Sequence, residues 1–316
     1  MLDDLKFVQG AVAKKDFLPA LTHFVIEDGT VKGFNGTIAL CSPIPFDISC
    51  KPKADALVRA ISSCDHTVTL SLTPAGRLSV ASGKFKAFVD CVDGVTPHAS
   101  PEGEFFDIDG EQLLDAMRVC MPFVSDDASR PWSNGVLFLG QSAFATNNVT
   151  LVEYWTGFTM HKPVNIPRAA IKEMLRLGAA PIKAQMSETS ISFHYEGGRW
   201  LRTQLYQTDW PDLTKVLNKE SNPVDIDPKL FEALQTVKPF CDKMGRIIIK
   251  GDIVATHHED TEGASFEVPG LNCNGVYQIE MLNLLSTAKT IDWSMYPSAC
   301  MFFGDRLRGA IIGMKQ

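Results

Sequence analysis

Val136-Leu137-Phe138-Leu139-Gly140-Gln141-Ser142-Ala143-Phe144-Ala145-Thr146 reads as two short strands about a turn, because apolar and aromatic residues flank Gly140 on both sides. The pattern stands upstream as Phe24-Val25-Ile26-Glu27-Asp28-Gly29-Thr30-Val31-Lys32-Gly33-Phe34. It stands again downstream as Ile247-Ile248-Ile249-Lys250-Gly251-Asp252-Ile253-Val254-Ala255-Thr256. Three hairpins of one kind at a spacing of about 110 residues are the mark of an internal repeat, which takes precedence over any local reading.

Working outward, each hairpin is preceded by an amphipathic helix, at residues 5–13, 111–121 and 228–240. The second places Leu113, Leu114, Met117 and Met121 at helical spacing, and the third Leu230, Leu234 and Val237, so each buries one face. A second helix follows each hairpin, at 54–64, 167–177 and 278–288, and a closing hairpin follows that, at 78–89, 191–206 and 299–312. Linkers rich in Pro, Ser and charge, 98–104 and 218–227, separate the copies. The fold class is therefore α+β, with helices on one face of antiparallel sheets, in three repeated domains at 1–100, 101–220 and 221–316.

At 316 residues, with 45% hydrophobic and 21% charged, the whole chain is expected to fold. The start, Met1-Leu2-Asp3-Asp4-Leu5-Lys6, lacks a basic leader and an apolar run, and no stretch is long enough for a membrane span. A soluble, cytoplasmic protein without membrane association is expected. The eight cysteines form no CxxC pair and read as buried thiols in a reducing compartment, with no metal and no cofactor.

At this point the chain resembles a known family, the beta sliding clamp of bacterial DNA polymerase III. Ser129-Arg130-Pro131-Trp132-Ser133-Asn134-Gly135-Val136 is similar to that family's Arg-x-x-x-Asn-Gly strand entry, and Ala145-Thr146 opens its Ala-Thr-Asp-Gly-His-Arg-Leu motif. Ile166-Pro167, Asp209-Trp210-Pro211-Asp212 with Val216-Leu217, and Asn274-Gly275-Val276-Tyr277 follow in the family's order. The departures are definite. After Thr146 the chain reads Asn147-Asn148-Val149-Thr150-Leu151, and it closes on Ile312-Gly313-Met314-Lys315-Gln316 in place of Met-Pro-Met-Arg-Leu. The resemblance implies a divergent, ring-forming member, viral or plasmid-borne, with an altered partner motif. Its function would be that of a non-enzymatic processivity factor that encircles duplex DNA and tethers a replicative DNA polymerase.

The net charge of −7 argues against nucleic acid only if the charge is spread evenly. Taken with their flanks, as 3–15, 53–64, 110–121, 167–177, 227–240 and 278–289, the six helical stretches hold 12 Lys and Arg against 9 Asp and Glu, a net of +3 that leaves the remainder at −10. Arg168, Lys172 and Arg176 fall four apart and form one stripe, opposite Ile171, Met174 and Leu175. A solvated charged face is the plain alternative for this helix taken alone. Twelve such helices in a ring of two protomers, spaced about 9 Å apart, give a circumference of about 110 Å and a hole about 25 Å wide, enough for a duplex. Contacts confined to phosphates would make the binding nonspecific and mobile.

The resemblance also implies site residues. Lys15 takes the place of a basic residue after the first helix that touches DNA, and Arg130 with Trp132 that of a DNA-proximal loop. Thr146, Leu151, Pro211, Val216, Tyr277, Ile312 and Met314 match a pocket that takes a short apolar peptide from polymerase and clamp loader. Phe88, Val89 and Phe240 fall at the ends expected to meet in a head-to-tail homodimer. For Leu151, Val216 and Ile312, ordinary core packing is the competing account.

Two other functions are compatible with the sequence. A ring-like, non-replicative interaction scaffold would use the same fold, since fold does not fix function. A metal-dependent nucleic-acid enzyme would need His257-His258-Glu259-Asp260 as ligands, but adjacent side chains of a strand point to opposite faces. Gly83-Lys84 lacks Walker spacing, and neither GxSxG nor HExxH occurs.

Overall fold

The computed structural model describes residues 1–257 and 262–315. The first third of the chain runs α1 (Leu2–Gln9), β1 (Val25–Glu27), β2 (Thr30–Phe34), β3 (Ile38–Pro43), α2 (Ala54–Ser62), β4 (Thr69–Leu72), β5 (Leu78–Ser82) and β6 (Phe85–Val89). The second runs β7 (Glu104–Phe106), α3 (Gly110–Cys120), β8 (Gly135–Leu139), β9 (Ser142–Thr146), β10 (Thr150–Trp155), β11 (Val164–Pro167), α4 (Arg168–Leu177), β12 (Lys183–Met186), β13 (Ser190–His194) and β14 (Trp200–Gln204). The last runs α5 (Thr214–Leu217), β15 (Val224–Asp225), α6 (Lys229–Val237), β16 (Arg246–Gly251), β17 (Ile253–Ala255), β18 (Ser265–Glu267), β19 (Cys273–Gln278), α7 (Ile279–Asn283), β20 (Thr290–Ile291), β21 (Cys300–Gly304) and β22 (Leu307–Ile311). The repeat is visible in that order, and each third carries more strands than the hairpins alone announce.

Local chemistry sets the ends of these elements. α6 buries Leu230, Ala233, Leu234 and Val237, the i, i+3, i+4, i+7 stripe of a surface helix. Each of its Leu and Val side chains contributes about 1.5–3 kcal/mol by burial, an upper bound. α4 follows Pro167, whose extended backbone suits a helix entry, and stops at Gly178, which takes φ +65° and donates its N–H to Met174. Its buried face differs from the expected one. Ala170, Ile171, Glu173 and Met174 are buried, whereas Leu175 is only half-buried.

The chain forms two compact units, Met1–Leu114 with Ile166–Tyr206, and Asp115–Asn165 with Gln207–Gln316, and these cut across the sequence repeats. The reason lies in the pairing. In the first unit the sheet order is β1-β2-β3-β14-β13-β12-β7, all antiparallel, so the opening strands of the first repeat continue into the closing strands of the second. β3 is buried at every residue but Pro43, as a central strand should be. α1 packs on β2 and β3, and α4 on β14. A separate three-stranded sheet, β4-β5-β6, completes this unit.

The second unit follows the same rule. β10 pairs with β22 in the order β11-β8-β9-β10-β22-β21-β20-β15, joining the opening strands of the second repeat to the closing strands of the third. Phe123 and Phe302 stack in its core with ring centres 6.2 Å apart. Gly309 is required on β22, because a Cβ there would lie 2.2 Å from the Phe302 ring and 2.3 Å from the Leu151 carbonyl. A four-stranded sheet, β18-β17-β16-β19, stands apart. Among the described residues, β6 pairs only with β5 and β18 only with β17, so each leaves one strand edge open.

Candidate functional site

The turn from β9 to β10 is held by its own side chains. The Asn147 amide oxygen accepts from the backbone N–H groups of Val149 (3.0 Å) and Thr150 (2.8 Å), and the Thr146 hydroxyl donates to the Thr150 carbonyl (2.6 Å) while accepting from Asn148 N–H (3.0 Å). Asn148 takes φ +71°, a conformation that Asn tolerates better than most residues with a Cβ. The Asn147-Asn148 pair, a departure from the resembled motif, thus supplies both a capping acceptor and a left-handed residue. It does so without the charge of Asp-Gly.

The C-terminal segment is fastened to this turn and to β19. Ile312 N–H donates to the Val149 carbonyl (2.9 Å), Met314 N–H to the Val276 carbonyl (2.7 Å), and the Tyr296 hydroxyl to the Met314 carbonyl (2.9 Å). Between them, Gly313 approaches Tyr296 so closely that a Cβ would lie 2.4 Å from the ring. The result is an open cavity of about 430 Å³ lined by Asn148, Val149, Met244, Gln278, Ile312, Gly313 and Met314. Its lining is mainly apolar and adaptable, with two methionines at the rim.

An apolar cluster lies along the same strands. Phe144, Leu151, Leu217, Met301 and Ala310 are buried there, with Leu137, Trp210, Leu213, Val216, Met295 and Phe303 half-buried against them. The two-residue period of strands places Val149 with Leu151 and Ile312 with Ala310, so the cavity continues the edge of this cluster. Of the residues expected in the pocket, Ile312 and Met314 line the cavity, Thr146 braces its turn, and Leu151 and Val216 belong to the cluster. Pro211 is exposed beside Trp210. Tyr277 is fully buried, edge-on to Trp293 with its hydroxyl 3.4 Å from the Cys300 thiol, and burial drives its pKa upward. It does not line the cavity; its ring lies 5.7 Å from that of Tyr296, which meets Gly313. Asn148, Val149, Met244, Gln278 and Gly313 were not among the expected residues; Met244 stands out among them by its 56% exposure.

The basic stripe of α4 is not uniform. Lys172 is exposed, whereas Arg176 is held by Glu173 and donates to the carbonyls of Phe7 (3.1 Å) and Lys6 (3.3 Å) at the end of α1. Glu173 is 7% exposed, so much of the Arg176 charge is balanced internally. Arg168 is half-buried. Lys15 is exposed on the loop after α1, and Arg130 is exposed ahead of the short turn Pro131–Ser133. Trp132 packs edge-on against Trp210 at 5.2 Å and is half-buried.

Of the residues expected at a subunit contact, Phe88 and Phe240 are 55% and 59% exposed, with the Lys86 ammonium 5.1 Å from the Phe88 ring centre. Val89 is buried, so it would offer only backbone at the open edge of β6. His258, Glu259 and Asp260 lie outside the described residues. Among the described residues, no group of three His, Cys, Asp or Glu could hold a metal ion, and no helix is long and apolar enough to cross a membrane. All eight cysteines are free thiols, and burial pushes Cys41 up to about 11 and Cys50 and Cys273 up to about 12.

No family model and no curated protein matches the chain by sequence. Solved structures do match its fold. A DNA polymerase III subunit beta from Pseudomonas aeruginosa superposes with a TM-score of 0.82 at 17% identity, covering 100% of this chain and 97% of that one. A sliding clamp (DNA polymerase III subunit beta) from Bartonella birtlesii, bound to griselimycin, gives 0.85 at 16%, with the same coverage. A DNA polymerase sliding clamp from Bacillus subtilis gives 0.83 at 16%, again over 100% and 97%. The chain therefore has the α+β, antiparallel-sheet fold of the sliding clamps over its whole length.

Proposed function

We propose that this protein is a DNA sliding clamp, a processivity factor that encircles duplex DNA and tethers a replicative DNA polymerase. The observation that carries the reading is the sheet pairing. β3 pairs with β14 and β10 with β22, and in the same series the strands left over are β18 of the third repeat and β6 of the first. Two open edges of one chain that continue a pairing already made twice are suited to each other in a second copy. A heterologous, head-to-tail contact of this kind closes into a ring when the rotation permits. The repeats 1–100, 101–220 and 221–316 act as the three domains of one protomer, and a homodimer supplies the six domains of the ring. The exposed Phe88 beside β6 and Phe240 after α6 fit such a contact.

The remaining roles follow from this assembly. Lys15, Arg130, Arg168 and Lys172 supply cations toward phosphate, so binding is sequence-independent and topology retains the ring. Arg176 acts chiefly by fixing α1 against α4. The cavity bordered by Ile312 and Met314, with the cluster around Leu151 and Val216, receives an apolar peptide from the polymerase and from the clamp loader. The protein works without catalysing a reaction and without a cofactor, in the cytoplasm. The test is retention on DNA. After loading by a clamp loader and ATP, the protein should stay on a nicked circular duplex and leave once the circle is cut. Equal retention on circular and linear DNA would overturn the reading.

A further inference from the structure

The loop that follows α1 carries the most exposed aromatic residue of the described chain. Phe17 is 105% exposed, next to Leu18 at 58%, in the run Lys14-Lys15-Asp16-Phe17-Leu18-Pro19. The ring stands clear of the rest of the protein, so both of its faces are open to a partner. Its presentation is built. The Asp16 carboxylate accepts from Leu18 N–H at 2.9 Å, an Asx turn that holds Phe17 at its tip and commits the one acidic group of the loop to the backbone. Lys14 and Lys15 are exposed, and neither ammonium meets a carboxylate among the described residues.

The loop also starts from a defined place. α1 ends against α4, where Arg176 holds the carbonyls of Phe7 and Lys6 and the Glu173 carboxylate lies against Gly10. The basic loop and the helix bearing Lys172 therefore belong to one side of the first compact unit. Two free cations beside a protruding aromatic ring match a single strand of nucleic acid, whose phosphates take the lysines and whose unpaired base offers a face to the ring. A duplex base is already stacked on both sides and offers no such face.

We propose that Phe17 stacks on an unpaired base of single-stranded DNA while Lys14 and Lys15 hold the adjoining phosphates, so that the loop senses the border between duplex and single strand. The inference rests on the proposed clamp function, which brings DNA to this side of the protein. Affinity of the full-length protein for a labelled oligo-dT and for a blunt duplex of equal length, measured by fluorescence anisotropy across a salt series, tests it. Phe17→Ala should weaken oligo-dT binding about tenfold, leave the duplex unaffected and leave the salt slope unchanged. Phe17→Trp should restore the affinity. Lys14→Ala with Lys15→Ala should flatten the slope for single strands by about 0.7 per lysine. Unchanged oligo-dT affinity in Phe17→Ala, or equal loss on both DNAs, would overturn the stacking. Failure of the wild-type protein to bind oligo-dT would overturn it as well, whereas the clamp reading stands or falls separately, on retention by circular but not linear DNA.

Discussion

Met314 donates its backbone N–H to the carbonyl of Val276 at 2.7 Å, which stitches the C-terminal segment into the wall of the groove it lines. Deleting residues 314–316 removes that bond and one rim of the cavity. Binding of the cognate polymerase's peptide should fall at least about tenfold, a loss of about 1.4 kcal/mol, while the molar mass stays that of the wild type. Gly313→Val should act in the same direction, since its side chain would enter the Tyr296 ring. Peptide titration by calorimetry, alongside light scattering, checks both. Wild-type affinity in the truncated protein would place the peptide site elsewhere.

Lys172 and Arg176 share a helix face but should respond differently to removal. Lys172→Ala should lower the slope of log affinity against log salt by about 1, as expected for one phosphate contact. Arg176→Ala leaves the buried Glu173 carboxylate without its counter-charge, and should cost about 1–3 kcal/mol in a urea melt, an amount discounted for the half-exposed guanidinium. An Arg176→Ala protein of unchanged stability would contradict the internal role assigned to it.

The exposed rings of Phe88 and Phe240 should mark the subunit contact. Phe88→Arg or Phe240→Arg would place a second cation beside Lys86 or a charge in an apolar contact, and each should halve the molar mass at micromolar concentration. Neither residue is in the core of its unit, so thermal stability of the monomer provides the control. A dimer that survives both substitutions would show that β6 and β18 are not its seam.

Asp4 ties α1 to the entry of β14 through Arg199 (2.6 Å) and meets the chain's N-terminal ammonium at 2.9 Å. Burial alone would raise its pKa, but the ammonium, Arg199 and Ser42 together hold the carboxyl below its usual range. A depressed folded pKa means that the contribution to stability is full above the unfolded value of about 4 and is lost as pH falls through the folded one. Thermal midpoints measured from pH 6 down to pH 2.5 should therefore decline less steeply in Asp4→Asn than in the wild type. Parallel curves would remove Asp4 from the account of acid lability.

Much of this protein was legible in its residues. The hairpin at 24–34, the helix stripe of Leu230, Leu234 and Val237, and the closing strands at 299–312 all stand where periodicity puts them, because burial of one face imprints a period of 2 or 3.6 on the sequence. The repeat, and with it the α+β class, needed nothing more. What periodicity omits is the sheet edge. Strands pair through backbone N–H and C=O groups that are nearly the same at every residue, so no pattern in residues 38–43 names β14 as their partner. Only the folded chain shows that the closing strands of one repeat pair with the opening strands of the repeat before it, and that β6 and β18 keep an open edge. The basic stripe divides in the same way. Four-residue spacing put Arg168, Lys172 and Arg176 on one face, but the arrival of α1 beside buried Glu173 decided which cation is committed inside and which is left exposed to solvent.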